Sequence, residues 1–65
     1  MPELQNRQLS PREKDIVDLV QRGMRNRQIG ERLNLTEGTV KVYLHNIYQK
    51  MGVTSRTELV ARTRE

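Results

Sequence analysis

Apolar residues recur at helical spacing in four short stretches of this chain, and polar turn residues separate the stretches. The first stretch follows LSPREKD, in which Ser10 can cap a helix, Pro11 suits its first position and Glu13 completes a capping box. Gly23 provides a C-terminal cap, so a helix is predicted over about residues 11–22. Its buried face is predicted to consist of Ile16, Val17, Leu19 and Val20.

The second stretch is shorter and predicts a helix over residues 27–33. Ile29 and Leu33 share one face of it, and Asn26 is the better candidate for its cap, because Arg25 cannot cap as Ser or Thr would. Asn34 follows as the break, since asparagine tolerates the left-handed conformation that a tight turn can require.

The longest stretch starts at Thr36, which is predicted to cap a third helix that ends near Met51 and Gly52. Glu37 in the first turn suits the helix dipole. One face of this helix forms an apolar stripe, composed of Val40, Leu44, Ile47 and Met51.

The fourth stretch begins with a second capping box, Ser55 with Glu58, and continues through Leu59 towards the C-terminus. No strand is predicted. The pattern therefore indicates an all-α fold, a compact four-helix bundle with very short turns, in which Met24 and Met51 belong to the core.

Composition narrows the class of protein. A chain of 65 residues has room for a single core and for no enzyme-sized cleft. It contains no cysteine, which excludes disulfides and thiolate zinc sites, and no apolar run of the roughly 20 residues that span a bilayer. The N-terminus lacks the features of a signal peptide, so we expect a cytoplasmic protein.

The positive charge is concentrated in the middle of the chain. Of a formal net charge of +4, the excess lies in residues 21–56, which hold seven Lys or Arg against two Glu. Such a patch favours polyanions, although a local excess of charge is by itself more often ordinary surface.

The third helix has a polar second face opposite its apolar stripe. This face could be plain solvated surface, or it could contact a protein, a metal or nucleic acid. His45 is the only histidine, and a metal or catalytic role would need partner residues that are not in view, so we expect no metal, no cofactor and no enzyme activity. The polar face of the third helix consists of Gly38, Lys41, Val42, His45 and Gln49.

The second and third helices, joined by a three-residue turn, form a helix-turn-helix. The two helices cross closely, so the contact residue on the first of them must be small, and Gly30 occupies that position. The wedge between the helices is predicted to be filled by Ile29, Leu33, Leu35, Val40 and Tyr43, with Tyr43 and Tyr48 at the edge of the core.

Several separate elements at fixed spacing resemble one family. They are LSPRE, GM followed by NRQIG, LT with TVK, KMGV, and SR before the last helix. Together they cover residues 9–61 and are similar to the LuxR-type DNA-binding domain, found at the C-terminus of NarL/FixJ response regulators and of quorum-sensing activators. Departures from the family's common residues occur at Arg25 (usually Ser or Thr), Gly30 (Ala) and Tyr43 (His).

The resemblance implies a third helix that enters the major groove of double-stranded DNA. The base-reading positions fall on Lys41, Val42 and His45, and Gln49 is a weaker candidate. The positions that contact phosphates fall on Asn26, Arg27, Thr36, Thr39 and Lys50.

The fourth helix is implied to form a weak homodimer that is stabilised on DNA. Its candidate contacts are Thr57, Ala61 and Arg64, and RNA polymerase is a further candidate partner.

Residues 1–8 are expected to be a linker remnant, and residues 9–65 the output domain of a transcriptional regulator, in particular a two-component response regulator. The alternative is a protein-interaction module on a helix-turn-helix scaffold that does not bind DNA. A basic face on the third helix favours DNA, because a protein-docking helix more often presents an apolar surface.

Overall fold

The computed structural model describes residues 9–63, which contain four helices and no strand. In chain order they are α1 (Pro11–Gln21), α2 (Asn26–Leu33), α3 (Glu37–Met51) and α4 (Arg56–Thr63). The all-α prediction is confirmed, and the helix bounds differ from the predicted ones by about one residue. The linker expected at residues 1–8 lies outside the described residues.

Helix α1 begins with the predicted capping box. The Ser10 hydroxyl accepts the main-chain N–H of Glu13 at 3.1 Å, and the Glu13 carboxylate accepts the main-chain N–H of Ser10 at 2.8 Å. The helix ends at the cap residue Arg22, and Gly23 follows with φ +86°, a conformation that glycine adopts without steric cost. Both ends of α1 are therefore specified by local sequence.

The start of α2 corrects one prediction. Asn26 is the first residue of the helix and not its cap, because Arg25 occupies the cap position in an extended conformation. An arginine side chain carries donors only and cannot accept a main-chain N–H. The local hydrogen bond runs in the other direction, from the Arg25 main-chain N–H to Oε1 of Gln28 at 2.9 Å. The glutamine at the third helical position is thus the signal that marks this start.

The turn between α2 and α3 depends on two residues with unusual backbone requirements. Asn34 has φ +62° and ψ +44°, the left-handed conformation predicted for it. Gly30 lies directly under the turn, where its carbonyl accepts the N–H of Leu35 at 2.7 Å. A Cβ atom on Gly30 would lie 2.5 Å from the Leu35 carbonyl oxygen, so a larger residue at this position would force the turn to move outward.

Helix α3 is capped by Thr36, as predicted, and ends at Gly52, which has φ +71°. Helix α3 packs against α1 and α2, and α4 packs against α1. The apolar stripe of α3 is the centre of the resulting core, which is composed of Ile16, Val17, Leu19, Val20, Ile29, Val40, Leu44, Ile47, Met51, Val53 and Leu59.

The partly buried apolar residues pack against the core from its periphery. One of them is Met24, which was predicted to belong to the core and is only half-buried. The others occupy the predicted wedge and core edge, and include Leu33, Leu35, Tyr43 and Tyr48. Full burial of one Leu, Ile, Val or Met side chain stabilises a fold by about 1.5–3 kcal/mol, so this core is the main support of the helix-turn-helix.

Helix α4 begins with half of its predicted capping box. The Ser55 hydroxyl accepts the main-chain N–H of Glu58 at 3.1 Å. The Glu58 carboxylate instead accepts the main-chain N–H of Thr54 at 2.9 Å and the Thr54 hydroxyl at 3.1 Å. These hydrogen bonds lower the pKa of Glu58, and the bond from the Thr54 main chain has the largest effect.

Candidate nucleic-acid interface

The outward face of α3 exposes the three residues predicted to read bases. Lys41, Val42 and His45 are all exposed, and Gln49 is exposed further along the helix. Val42 is 61% exposed and is the one large apolar residue exposed in the described part of the chain. Within residues 9–63, no ion pair engages Lys41. A basic, an apolar and an imidazole group are therefore available together on one helix surface.

The start of α3 holds two threonine hydroxyls in a defined arrangement. Oγ1 of Thr36 accepts the main-chain N–H of Thr39 at 3.1 Å and donates to Oγ1 of Thr39 at 2.9 Å. The Thr36 hydroxyl thus uses its hydrogen within the cap. The hydroxyl hydrogen of Thr39 is the one available to an outside acceptor.

The start of α2 carries Asn26 and Arg27. Arg27 is exposed and faces Glu31 with an Nε–Oε2 distance of 3.7 Å, in a pair whose side chains are 81% and 70% exposed. Such an exposed ion pair contributes little to stability, so another anion can replace Glu31 as the partner of Arg27. Asn26 is half-buried, and its amide oxygen accepts a hydrogen bond at 2.8 Å from Nη1 of Arg56, the first residue of α4.

Lys50 has a more restricted environment than the other predicted phosphate contacts. Its ammonium lies 2.9 and 3.0 Å from the two carboxylate oxygens of Glu13, whose side chain is only 5% exposed. Burial raises the pKa of Glu13, but the hydrogen bonds from Lys50 and from Ser10 outweigh burial, so the pKa lies below its usual value. This pair joins the end of α3 to the start of α1.

The candidate dimer contacts on α4 are exposed where the structure describes them. Thr57 and Ala61 are exposed and line a shallow depression together with Arg56 and Val60. Arg64 lies outside the described residues.

Sequence reasoning missed two long-range contacts at this surface. One is the ion pair between Glu13 and Lys50, and the other is the contact of Arg56 with Asn26. A signal was present for the second, because Arg56 belongs to the SR element of the resemblance, but nothing local in the sequence pairs it with α2.

Two features are absent from residues 9–63. These residues hold no cluster of three or more His, Cys, Asp or Glu that could bind a metal ion. None of the helices formed by these residues is long and apolar enough to cross a membrane.

The geometry defines a class of protein. The first helix of the pair, α2, is anchored on the core, and the second, α3, buries one stripe and exposes the opposite face with basic and apolar side chains. An α-helix exposed in this way has the dimensions to enter the major groove of DNA, while the start of the preceding helix approaches the backbone. This arrangement is that of a helix-turn-helix DNA-binding domain.

Comparison with known proteins gives the family. Residues 7–63 match the family described as bacterial regulatory proteins, luxR family. The chain belongs to this family, as its motifs indicated, and it is a LuxR-type helix-turn-helix domain, the DNA-binding output module of transcriptional regulators. The family consists of DNA-binding regulators and is not a class of enzymes.

Individual relatives agree with the family. The nitrate/nitrite response regulator protein NarL of Escherichia coli K12 is 47% identical over 51 residues, which are 78% of this chain and 24% of that protein. The response regulator protein TodT of Pseudomonas putida F1 is 46% identical over 55 residues, which are 85% of this chain and 24% of TodT. The chain thus spans about a quarter of the length of these relatives.

A solved structure of the response regulator StyR is similar to the fold, with a TM-score of 0.90 and 40% identity. The match covers 97% of this chain and 32% of the StyR chain.

Proposed function

We propose that this domain binds double-stranded DNA sequence-specifically as the output module of a two-component response regulator that works in the cytoplasm. The observation that supports this most directly is the outward face of α3, where Lys41, Val42 and His45 are exposed together. The relatives NarL, TodT and StyR, each described as a response regulator, support the wider assignment.

Each of the three base-reading residues has a distinct chemical role. The Lys41 ammonium donates to O6 and N7 of a guanine, and Val42 packs against the methyl group of a thymine. His45 hydrogen-bonds to a base edge. An exposed valine is poorly matched to water but well matched to a methyl group in the groove, which gives Val42 a reason to be exposed on this face.

The phosphate contacts surround this face. At the start of α3, the Thr39 hydroxyl donates to one phosphate, and Thr36 contacts the same phosphate through the cap, where it holds Thr39 in place. The free N–H groups of the first helical turn also favour a phosphate at this point. Asn26 and Arg27 contact the backbone from the start of α2. Lys50 would contact a phosphate only in competition with Glu13, so we expect its share of the affinity to be the smallest of the set.

Two copies are proposed to pair through α4 on a two-fold-related site. Of the candidate contacts of this weak homodimer, Thr57 and Ala61 lie within the described residues and are exposed. DNA stabilises the dimer by binding both recognition helices. RNA polymerase is a proposed further partner of the whole regulator.

The test compares two lysines that differ in position and not in charge. A duplex selected by the wild-type chain from random-sequence DNA, and a scrambled version of it, are titrated with Lys41→Ala and with the control Lys14→Ala, which removes an exposed lysine from α1. Lys41→Ala should reduce the preference for the selected duplex about tenfold or more, because a good base contact contributes about 1–3 kcal/mol of discrimination. Lys14→Ala should keep the preference.

Affinity of the wild-type chain should also fall steeply as salt concentration rises. An unchanged preference of Lys41→Ala for the selected duplex would contradict the assignment of α3 as the reading helix.

A further inference from the structure

The contact between α4 and the start of α2 consists of hydrogen bonds in which Arg56 is the donor. The Arg56 guanidinium donates from Nη1 to the amide oxygen of Asn26 at 2.8 Å and from Nη2 to the main-chain carbonyl of Met24. Arg56 is half-buried, so this contact forms part of the packed structure rather than of the solvated surface. It holds the start of α2 at two points, on either side of the cap residue Arg25.

A guanidinium has five N–H donors and no acceptor. Only the oxygen of the Asn26 amide can therefore face Arg56, and the amide nitrogen must occupy the other branch of the side chain. Within residues 9–63, that nitrogen donates to no protein group. Asn26 thus carries two N–H donors with a fixed orientation and no partner in the protein.

We propose that Arg56 is a positioning residue for DNA binding: it holds the oxygen of the Asn26 amide and thereby presents the amide nitrogen to a phosphate oxygen. A free asparagine can turn either end of its amide outward, and an outward oxygen would repel a phosphate. The contact with Arg56 removes that wrong orientation before binding. This inference rests on the proposed function, since it assigns a role within the same DNA interface.

The proposal also links two surfaces. Arg56 is the first residue of α4, and it lines the same depression as Thr57 and Ala61, the described residues of the proposed dimer contact. A change that displaces the start of α4 would therefore release the Asn26 amide.

A double-mutant cycle in the 65-residue chain tests the coupling. Asn26→Ala, Arg56→Met and the double variant are titrated with the duplex selected by the wild-type chain, at a temperature where circular dichroism shows all four proteins to be folded. Asn26→Ala should weaken binding about tenfold, because it removes a hydrogen bond to a charged oxygen. Arg56→Met should weaken binding by a smaller factor, and the double variant should bind as Asn26→Ala does.

Two results would overturn the proposal. If the two losses multiply in the double variant, Arg56 acts on DNA independently of Asn26. If Arg56→Met lowers stability but leaves the affinity of the folded protein unchanged, its contact with Asn26 is only structural.

A second variant separates folding from binding. Asn26→Asp keeps an oxygen facing Arg56, in a charge-assisted hydrogen bond, so its thermal stability should equal or exceed that of the wild type. Its second oxygen replaces the outward amide nitrogen, and its affinity should fall below that of Asn26→Ala. An affinity equal to or above that of Asn26→Ala would refute the outward placement of the nitrogen.

Lys41→Ala in the same titrations separates a failure of the proposed function from a failure of the role of Arg56. If Lys41→Ala and Asn26→Ala both bind like the wild type, the proposed function itself fails. If Lys41→Ala weakens binding while the cycle shows no coupling, only the role of Arg56 fails.

Discussion

Substitution of Gly30 by alanine tests whether the close crossing of α2 and α3 depends on the absence of a Cβ atom at this position. Gly30 lies in α2 beneath the turn, and a Cβ atom there would be 2.5 Å from the Leu35 carbonyl oxygen and 3.4 Å from the carbonyl carbons of Leu35 and Thr36. The Leu35 oxygen belongs to the main chain, so no side-chain rotation can relieve the contact. The N–H of Leu35 is also bound to the Gly30 carbonyl at 2.7 Å, which holds the turn in place.

Two effects of opposite sign decide the magnitude. Alanine has a higher helix propensity than glycine, which by itself would stabilise α2 by about 1 kcal/mol. Relief of the contact requires the turn to move outward, and such overpacking costs about 1–3 kcal/mol. We expect the steric cost to prevail, since the group that must move is main chain, with a net loss of about 1 kcal/mol. In a domain of this size that loss lowers Tm by about 4–8 °C.

The assay is thermal and urea denaturation followed by far-ultraviolet circular dichroism. Gly38→Ala is the matched control, because Gly38 also lies within a helix, but it is exposed and its added Cβ would meet only the Thr36 hydroxyl oxygen, at 4.0 Å. The same substitution should therefore raise Tm at Gly38 and lower it at Gly30. Equal stabilisation by both variants would refute the steric explanation of the crossing.

Three further results are expected from local contacts. Lys50→Met should lower the free energy of unfolding by about 2 kcal/mol, since it leaves the buried carboxylate of Glu13 without its cation. The loss for a fully buried pair is about 3 kcal/mol or more, and it is smaller here because a third of the Lys50 side chain is exposed. Glu13→Gln should cost less, because Lys50 can turn to water; equal losses in urea denaturation would contradict this. The folded pKa of Glu13 is lowered from 4.5, so the stabilisation is complete above that pH and is lost as the pH falls through the folded pKa. Unfolding of the wild type should accordingly be more acid-sensitive than that of Glu13→Gln, and parallel pH profiles would argue against the pair. Arg25→Ser should raise the free energy of unfolding by about 0.5–1 kcal/mol, and Tm with it, because serine can accept an N–H of α2 where arginine cannot. A lower Tm would show that the arginine side chain stabilises the cap.

Helix positions were predictable because their signals are local. Ser10, Thr36 and Gly52 specify their helix ends through hydrogen bonds or backbone angles that involve residues only a few positions away. The apolar stripe of α3 followed from helical periodicity alone. The predicted cap of α2 was wrong because this helix start does not depend on a cap side chain that accepts an N–H. Gln28 instead accepts the N–H of the cap residue, Arg25.

Contacts between distant parts of the chain could not be read from spacing. Glu13 and Lys50 are 37 positions apart, and Asn26 and Arg56 are 30 apart, so each pair meets only through the packing of the bundle. In the sequence, Glu13 was visible as a capping residue and Lys50 as a surface cation. Their pairing changes the interpretation of Lys50 from a plain phosphate contact to a residue that first joins α3 to α1.

DNA recognition by the outward face of α3 is tested most directly by NMR titration of the labelled chain with the selected duplex. The main-chain amide signals of Lys41, Val42 and His45, together with those of Thr36 and Asn26 at the helix starts, should shift on binding. Signals from the exposed positions of α1, such as Lys14, should remain in place. Saturable binding that shifts the signals of α1 and leaves those of the outward face of α3 unchanged would contradict DNA recognition by α3.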